Sequence, residues 1–462
     1  MFRYKSEELT KWLEEAHRLP LVVRGARQVG KTWLIRKLAV DAGRNLVEIN
    51  FERDPRASRW FESNDPRVIC DELSIARGVE ISPPDALLFL DEIQAAGELL
   101  AKLRWFAEEL PELPVVAAGS LLEFALANHG FSMPVGRVGY FHVEPMTFPE
   151  YLLAHGQERL LARLRAWHPG GEVLSDAVHM RAGEWFHRFT MVGGMPAVVA
   201  ADARGEDART VRGIQADLMR TYRDDFAKYS GRMESAVLDQ VLLAAAGMLG
   251  RKFTAAKVGS GVKHHQTAAA VDRLCRARLC TEVIHTAANG LPLGGEAKPR
   301  LKRLILLDVG MVHALLGTPA ARGFPGAHSL SPRARDQIIE QIMGQQLRAL
   351  STGDHEPSRL YFWQRERGRP GQIDYLLQVA TRIIPVEVKA GSAGSMKSLH
   401  QFMYDKGLDL AVRFDANPLS VQEMDLKTTQ GDPVRYTLLN LPHYLAFRVA
   451  SLVADIQEKE PS

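Results

Sequence analysis

The chain has 462 residues and a formal net charge of +3, with 46% hydrophobic, 24% charged and 8% aromatic residues. These are ordinary globular proportions, which exclude a disordered, collagen-like or coiled-coil protein and predict two to four domains of about 100 to 200 residues each. No apolar run approaches the roughly 18 residues that span a bilayer, no signal peptide is visible, and three cysteines are too few for a disulfide framework, so we expect a cytoplasmic protein with no membrane partner.

The first 155 residues alternate apolar strands with amphipathic stretches. Five runs are predicted as strands: LPLVVRG, LVEINF, ALLFLDE, PVVAAGS and VGYFHVE. Their near-continuous branched and leucine-rich sequences are typical of strands buried on both faces. This alternation predicts an α/β fold, a parallel sheet with helices on both faces. After the last strand, Thr147 and Glu150 form a capping-box pattern, so a helix is expected to start there.

Residues 25 to 32, GARQVGKT, fit the phosphate-binding pattern G-x-x-x-x-G-K-[ST] between a predicted strand and a predicted helix. The glycines let backbone amides turn toward phosphate oxygens, and the helix N-terminus adds a favourable dipole. Lys31 is expected to bridge the β- and γ-phosphates, and Thr32 to hold Mg²⁺. The alternative is a glycine turn with an exposed lysine. The predicted nucleotide-binding residues are Gly25, Ala26, Arg27, Gln28, Val29, Gly30, Lys31 and Thr32.

Sixty residues after Lys31, the apolar strand ALLFL ends in Asp91 and Glu92. An aspartate at the carboxyl end of a strand can order Mg²⁺, and the adjacent glutamate can polarise an attacking water. Ser120 ends the next strand, where a hydroxyl can sense the γ-phosphate. Arg137 is a candidate arginine finger for a neighbouring subunit, which predicts a homo-oligomer; a surface salt bridge is the alternative.

Several of these runs together resemble the AAA-type ATPases found widely in bacteria and archaea: RGARQVGKT, FLDEIQ, AAGSLL and EPMTFPEYL. In that family they are followed by a C-terminal region of unknown function, and the likeness continues through GGMP and DVGMVHALLG. The resemblance implies a P-loop NTPase core over residues 1–155 that hydrolyses ATP on Mg²⁺. It also implies that Lys31, Thr32, Asp91 and Glu92 have the roles given above. It does not imply a substrate.

The middle of the chain is predicted to be helical. Residues 156–235 form a helical connector, broken at GGMP because glycine and proline stop a helix. Residues 236–318 show two helices followed by a strand pair, the pattern of a winged helix-turn-helix. Residues 319–332 are dominated by Pro, Gly, Ser and Ala, which predicts a linker.

Residues 251–303 contain eleven basic residues against three acidic ones, a net charge of +8 that leaves −5 for the remainder. Such a concentration predicts contact with a phosphate backbone, so nucleic acid, most simply DNA, is the predicted partner. Two groups of side chains would make this contact. They are Arg273, Arg276 and Arg278 near the groove-binding helix, and Lys298 to Arg303 on the wing. The alternatives are a solvated helical face and a winged helix that serves only for packing.

Residues 333–462 are predicted to form a smaller α/β unit with the pattern D…E-x-K. Asp374 and Glu387, on adjacent strand ends, can bind one divalent ion together with the backbone carbonyl that follows Glu387. Lys389 can orient a hydrolytic water, and Glu340 can be an outer ligand. This arrangement resembles the restriction-endonuclease-like nuclease core.

The tail departs from its relatives at two positions. Gln372 stands where glutamate is common, and Gln341 where asparagine is usual. The alternative to a nuclease is a scaffold that has lost cleavage and serves as a docking surface. As a whole, the sequence predicts a Mg²⁺-dependent ATPase coupled to conformational change in a nucleic-acid-associated assembly, with a metal-dependent nuclease tail. The alternatives are an ATP-dependent regulatory switch whose tail only docks partners, and a nucleotide-binding protein with negligible turnover.

Overall fold

The computed structural model describes residues 2–83, 85–120, 134, 136–229, 232–259, 261–318, 330–351, 359–366 and 370–457. These residues form two compact units. The first is the chain up to Met146 together with Arg276–Leu279, and the second contains the rest. Within the described ranges, no helix combines the length and apolarity needed to cross a membrane.

The first unit is built on a five-stranded sheet in the order β2-β3-β4-β1-β5, in which every neighbouring pair is parallel. Its strands are β1 (Leu21–Arg24), β2 (Asn45–Asn50), β3 (Ala86–Asp91), β4 (Val115–Ala118) and β5 (Gly139–His142). Every residue of β3 and β4 is buried, which explains their continuous apolar sequence. The predicted α/β class and all five predicted strands are confirmed.

Helices pack around this sheet. They are α1 (Lys5–Glu14), α2 (Lys31–Asp41), α3 (Pro66–Arg77) and α4 (Leu103–Glu109), with 3₁₀ segments at Pro55–Phe61 and Ile93–Lys102. Asp65 caps α3 by accepting a hydrogen bond from the Arg67 N–H at 2.8 Å, and Gly78 ends the helix in a left-handed conformation. Because β1, β3 and β4 are parallel neighbours, the residues that follow their carboxyl ends meet at one edge of the sheet.

The second unit begins with a helix that starts at the predicted capping box. The Glu150 carboxylate accepts a hydrogen bond from the Thr147 N–H at 2.7 Å, which confirms that prediction. The first unit ends at Met146, earlier than the predicted boundary at residue 155. The reason is aromatic packing, since the Phe148 ring lies 5.2 Å from Phe186 and 5.7 Å from Phe189, both in the second unit.

The helices of the second unit follow in chain order. They are α5 (Phe148–Ala154), α6 (Glu158–Ala166), α7 (Asp176–Val192), α8 (Pro196–Ala203), α9 (Ala208–Tyr229), α10 (Arg232–Gly247), α11 (His264–Arg276), α12 (Val309–Leu316), α13 (Pro332–Ser351), α14 (Lys397–Lys406) and α15 (Val449–Gln457). The break between α7 and α8 lies at the predicted GGMP sequence.

The second unit also contains an eight-stranded mixed sheet in the order β12-β13-β11-β10-β9-β8-β6-β7. Its strands are β6 (Cys280–Thr286), β7 (Ala297–Leu306), β8 (Leu360–Gln364), β9 (Gln372–Val379), β10 (Arg382–Val388), β11 (Leu410–Asp415), β12 (Ser420–Lys427) and β13 (Pro433–Pro442). The buried strands β8 to β10 were predicted from their apolar sequences.

The predicted wing is part of this sheet. Strands β6 and β7 pair with each other, as expected for residues 236–318, but β6 also pairs in parallel with β8, with Val283 opposite Leu360. The predicted division between residues 236–318 and 333–462 therefore separates strands that share one sheet. Strand β6 is hydrogen-bonded on both edges, one of which would stay unpaired in a free wing. Most of the predicted linker, residues 319–329, lies outside the described residues.

A buried carboxylate connects three elements of the second unit. Asp308 accepts hydrogen bonds from the N–H of Gly194 at 2.6 Å, the N–H of Gly310 at 2.8 Å and the side-chain amide of Gln345 at 2.8 Å. At Gly193, where φ is +79°, a Cβ would lie 2.1 Å from a carboxylate oxygen of Asp308. Only glycine therefore fits the turn before α8, and Asp308 fixes α12 between that turn and α13.

We expect Asp308→Ala to lower the free energy of unfolding by at least about 3 kcal/mol, because it leaves buried N–H groups without an acceptor. Urea denaturation measures this change. Asp425→Ala is the matched control, since the Asp425 side chain is 70% exposed and pairs with an exposed Arg435. Equal unfolding midpoints for the two variants would contradict the role given to Asp308.

Candidate functional site

The phosphate-loop sequence lies between β1 and α2, as its pattern predicts. Gly30 caps α2 in a left-handed conformation with φ of 96°, and Gln28 also has a positive φ of 62°. Ala26 and Val29 are buried and anchor the loop in the first unit. The loop therefore bends sharply just before the N-terminus of a helix, where backbone N–H groups favour an anion.

Gly25 is required by a close approach of two backbone segments. Its φ is +152°, and a Cβ at this position would lie 2.4 Å from the carbonyl oxygen of Val143 and 3.2 Å from a methyl of Val29. A side chain here would have to displace backbone rather than a flexible side chain. The loop therefore keeps its path only with glycine at position 25.

Lys31 is buried and folds back over the loop, which contradicts the alternative of an exposed lysine. Its Nζ donates to the carbonyl oxygens of Gly25 at 3.0 Å and Ala26 at 2.9 Å. Burial lowers the pKa of Lys31 to about 8, while the nearby carboxylates of Glu92 and Asp91 act in the opposite direction. The ammonium group therefore lies among loop carbonyls that satisfy its hydrogen bonds.

Thr32 and Asp91 are in direct contact across the sheet edge. The Thr32 hydroxyl donates to the two carboxylate oxygens of Asp91 at 3.1 and 3.3 Å. Asn50, at the end of β2, also donates to Asp91 at 3.2 Å. Burial, followed by the negative charge of Glu92, raises the pKa of Asp91. A hydroxyl and a carboxylate side by side are oxygen ligands that suit Mg²⁺.

Asn50 was not found from the sequence. It lies directly opposite Asp91 in the parallel register of β2 and β3. The available signal was a polar residue at the end of an apolar strand, but only the order of strands in the sheet shows that β2 is next to β3.

Glu92 lies at the rim of the site with a left-handed backbone, φ of 52°. Its carboxylate accepts a hydrogen bond from the Gln94 amide at 2.6 Å, and the same amide lies 3.3 Å from Glu52. Glu52 in turn forms an ion pair of 3.5 Å with Arg27 of the loop. The sequence did not indicate these contacts. Through them, the Gln94 amide fixes the position of the Glu92 carboxylate.

Ser120 and Arg137 differ in their surroundings. Ser120 follows β4, which lies between β1 and β3, and its buried hydroxyl has no hydrogen-bond partner within the described ranges. Arg137 is half exposed and donates to Glu108 at 2.6 Å. Arg137 thus forms the surface ion pair that was the alternative to an arginine finger, because Glu108 at the end of α4 is within reach of its guanidinium.

The second unit brings the predicted carboxylates of the tail together. Glu340 lies on α13, Asp374 on β9 and Glu387 at the end of β10, with the Lys389 ammonium paired to Glu387. Burial, followed by the charge of Asp374, raises the pKa of Glu340 to about 7 and that of Glu387 to about 8. Glu340 and Glu387 therefore share a buried environment that disfavours the ionisation of both.

The contacts of Asp374 differ from those of the predicted metal site. One carboxylate oxygen accepts the N–H of Val388 at 2.9 Å, and the other accepts the amide of Gln372 at 2.9 Å. The sequence placed the Val388 carbonyl at the ion; in the structure it is the Val388 N–H that meets Asp374. Two donors on one carboxylate reduce its capacity to bind a cation.

The position of Arg303 contradicts the prediction that it lies on a wing beside DNA. It is buried, and its Nη1 lies 2.7 Å from Glu340 and 3.8 Å from Asp374. Its guanidinium also lies over the ring of Phe362, 4.4 Å from the centroid. The reason is the pairing of β6 and β7 with the large sheet, which places the last residues of β7 in the interior.

The remaining basic segment is partly neutralised by ion pairs. These pairs are Lys302 with Glu282, Lys298 with Glu366, and Arg273 with Glu234. Several exposed basic side chains have no ion pair described within the ranges that the structure covers. They are Lys252, Lys257, Lys263 and Arg300.

Comparison with known families agrees with this geometry. Residues 17–152 match the family described as an AAA domain. This part of the chain is similar to the AAA family, and it is called the AAA domain below. Residues 183–322 match a domain of unknown function, DUF8612, and residues 335–439 match another, DUF4143. No curated protein matches the chain.

Two solved structures are matched by this chain, each with a TM-score of 0.26. One is the Orc1 protein of Aeropyrum pernix in complex with DNA, at 16% identity, covering 68% of this chain and 91% of that one. The other is a signal transduction ATPase with numerous domains from Pyrococcus horikoshii, with a tetratricopeptide repeat sensor. It is 13% identical and covers 76% of this chain and 45% of that one.

We expect Gly25→Ala to weaken binding of an adenine nucleotide by the AAA domain at least about tenfold, since the new Cβ must displace the Val143 carbonyl. Gly43→Ala is the control, because Gly43 also has a positive φ, +61°, but has open space around it. Fluorescence titration with a labelled nucleotide and a thermal unfolding scan compare the two. Equal affinities in folded variants would show that the close approach at Gly25 is unimportant.

Proposed function

We propose that the AAA domain binds ATP with Mg²⁺ and hydrolyses it. Hydrolysis then changes the conformation of the phosphate loop, and this change alters the conformation of the protein. The observation that carries this proposal is the contact between Thr32 and Asp91, next to the buried Lys31. A hydroxyl, a carboxylate and an ammonium at a glycine loop are the groups that phosphoryl transfer needs.

Each residue of the nucleotide site has a role that its chemistry suits. Lys31 supplies a positive charge to the phosphates, and the loop amides from Gly25 to Thr32 supply hydrogen bonds. Thr32 and Asp91 are the residues that would hold Mg²⁺, and Asn50 orients Asp91. When bound, Mg²⁺ would neutralise negative charge on the phosphate oxygens.

Glu92 is proposed to polarise the attacking water, while the Gln94 amide keeps the Glu92 carboxylate oriented. The buried Ser120 hydroxyl, without a partner in the described part of the chain, has a free hydrogen-bonding capacity that suits a γ-phosphate sensor. The proposed homo-oligomer no longer has support from Arg137, which Glu108 already binds, and it stays a prediction.

We expect Lys31→Ala to weaken ATP binding at least about tenfold, because a charge-assisted contact is lost. Glu92→Gln should keep binding and lower turnover by about 10² to 10⁴, the range for a missing general base. Calorimetry and a phosphate-release assay separate the two effects. Lys37→Ala, on the same helix and paired with Asp41 at the surface, is the control. Undiminished turnover in Glu92→Gln would remove Glu92 from the mechanism.

A second function, association with nucleic acid, is supported by the exposed cations beside β7. The N–H of Phe253 donates to the carbonyl of Lys302 at 2.9 Å, so the chain around Lys252 runs alongside the strand that carries Arg300. Both side chains are exposed. We propose that this edge contacts phosphates of DNA without reading its sequence.

We expect the double variant Lys252→Ala and Arg300→Ala to bind duplex DNA more weakly and to lower the slope of log affinity against log salt by about 2. Arg435→Ala, exposed on the β12–β13 hairpin, should leave that slope unchanged. Fluorescence anisotropy at several salt concentrations measures this. DNA binding by the wild type that does not depend on salt would refute the phosphate contact.

For the tail, the contacts favour a docking scaffold over a nuclease. The Asp374 carboxylate is already bound by Gln372 and Val388, and Arg303 lies between Asp374 and Glu340. We therefore prefer an ATP-dependent switch whose nuclease-like tail binds partners, and the metal-dependent nuclease remains the alternative.

A further inference from the structure

We propose that Arg303 is an internal cation that takes the place of a divalent ion in the carboxylate cluster of the second unit, so that the cluster accepts such an ion only when Arg303 is replaced. The cluster is defined here as Glu340, Asp374, Glu387, Lys389 and Arg303. This inference concerns the tail alone and is independent of the proposed ATPase.

A divalent ion in this cluster would need a set of oxygen ligands. Mg²⁺ and Mn²⁺ prefer six oxygen ligands at about 2.0 to 2.2 Å, with carboxylates supplying at least one or two of them. In the second unit, the side chains of α13, β9 and β10 supply three carboxylates. Among the described residues, however, no group of three or more His, Cys, Asp or Glu side chains has a metal-holding arrangement.

Nitrogen donors already contact most of the carboxylate oxygens of the cluster. Asp374 accepts from Gln372 and from the Val388 N–H, each at 2.9 Å. Glu340 accepts from Arg303 at 2.7 Å, and one oxygen of Glu387 pairs with Lys389. An ion that binds Glu340 would have to displace the Arg303 guanidinium in a buried site, where unpaired groups are costly, whereas a carboxylate oxygen that accepts an N–H keeps a second lone pair for an ion.

Arg303 places a buried guanidinium beside the carboxylates that an ion would use. Its guanidinium is buried, lies 4.4 Å from the centre of the Phe362 ring, and is held by Glu340. Arginine stays protonated in proteins, so the positive charge is permanent. A divalent ion bound to Asp374 or Glu340 would lie beside this charge at low dielectric, and the two cations would repel each other.

One carboxylate oxygen of the cluster is already available to bind an ion. The second carboxylate oxygen of Glu387 is buried and has no hydrogen-bond partner in the part of the chain that is described. Replacing Arg303 by a neutral side chain frees an oxygen of Glu340 and relieves the charge near Asp374. Together with Glu387, these groups would then offer oxygens from three carboxylates, which is sufficient for a divalent site.

The test uses the full chain without nucleotide and carries Asp91→Asn throughout, so that the AAA domain does not take up the ion. Mn²⁺ is the probe, and electron paramagnetic resonance measures the free ion. With Arg303 in place, we expect no Mn²⁺ uptake that depends on Glu387. Arg303→Met, similar in length but neutral, should bind one Mn²⁺ per chain at least tenfold more tightly than the protein that retains Arg303.

Two further variants separate charge from shape. Arg303→Lys keeps the positive charge and should bind no Mn²⁺, while Arg303→Met combined with Glu387→Gln should lose the new site. The proposal is overturned if the protein with Arg303 binds Mn²⁺ and Glu387→Gln removes that binding. It is also overturned if a folded Arg303→Met variant gains no site.

If Arg303→Met does not fold, the comparison of the Arg303-containing protein with and without Glu387→Gln still decides the question. Equal, negligible Mn²⁺ uptake by both supports the internal cation. Uptake that Glu387→Gln abolishes contradicts it.

Discussion

The contact between the Thr32 hydroxyl and the Asp91 carboxylate depends on the parallel arrangement of β1, β3 and β4. Because parallel strands end at the same edge, residues 59 positions apart in the chain come within 3.1 Å. The loop before α2 can reach this edge only because Gly25 lets it pass against the Val143 carbonyl. The phosphate loop, the candidate magnesium ligands and the buried lysine all follow from this geometry.

The two units stabilise a buried positive charge in different ways. In the first, Lys31 is satisfied by loop carbonyls at 2.9 and 3.0 Å, which a phosphate can replace, so its charge stays available to a ligand. In the second, Arg303 is held by a carboxylate and an aromatic ring, so its charge is used within the protein. In the functions that we propose, a buried cation therefore belongs to a binding site in one unit and excludes a divalent ion from a group of carboxylates in the other.

The features that were predictable from the sequence are local. The phosphate loop and the capping box of Thr147 and Glu150 depend on residues at most seven positions apart, so their spacing alone identifies them. Asn50 and Arg303 were missed because their partners lie 41 and 37 positions away and no sequence motif marks either residue. The burial of Arg303 follows from the pairing of β6 with β8, a long-range contact that periodicity does not show. Neither hydropathy nor charge count distinguishes a buried arginine from an exposed one.

Hydrogen–deuterium exchange of the wild-type protein, with and without a non-hydrolysable ATP analogue and Mg²⁺, tests the central claim most directly. If backbone amides of the loop hold the phosphates, peptides covering residues 25–32 should exchange more slowly when the nucleotide is bound, and peptides from β12 and β13 should not change. Unchanged exchange at the loop under saturating nucleotide would contradict the account.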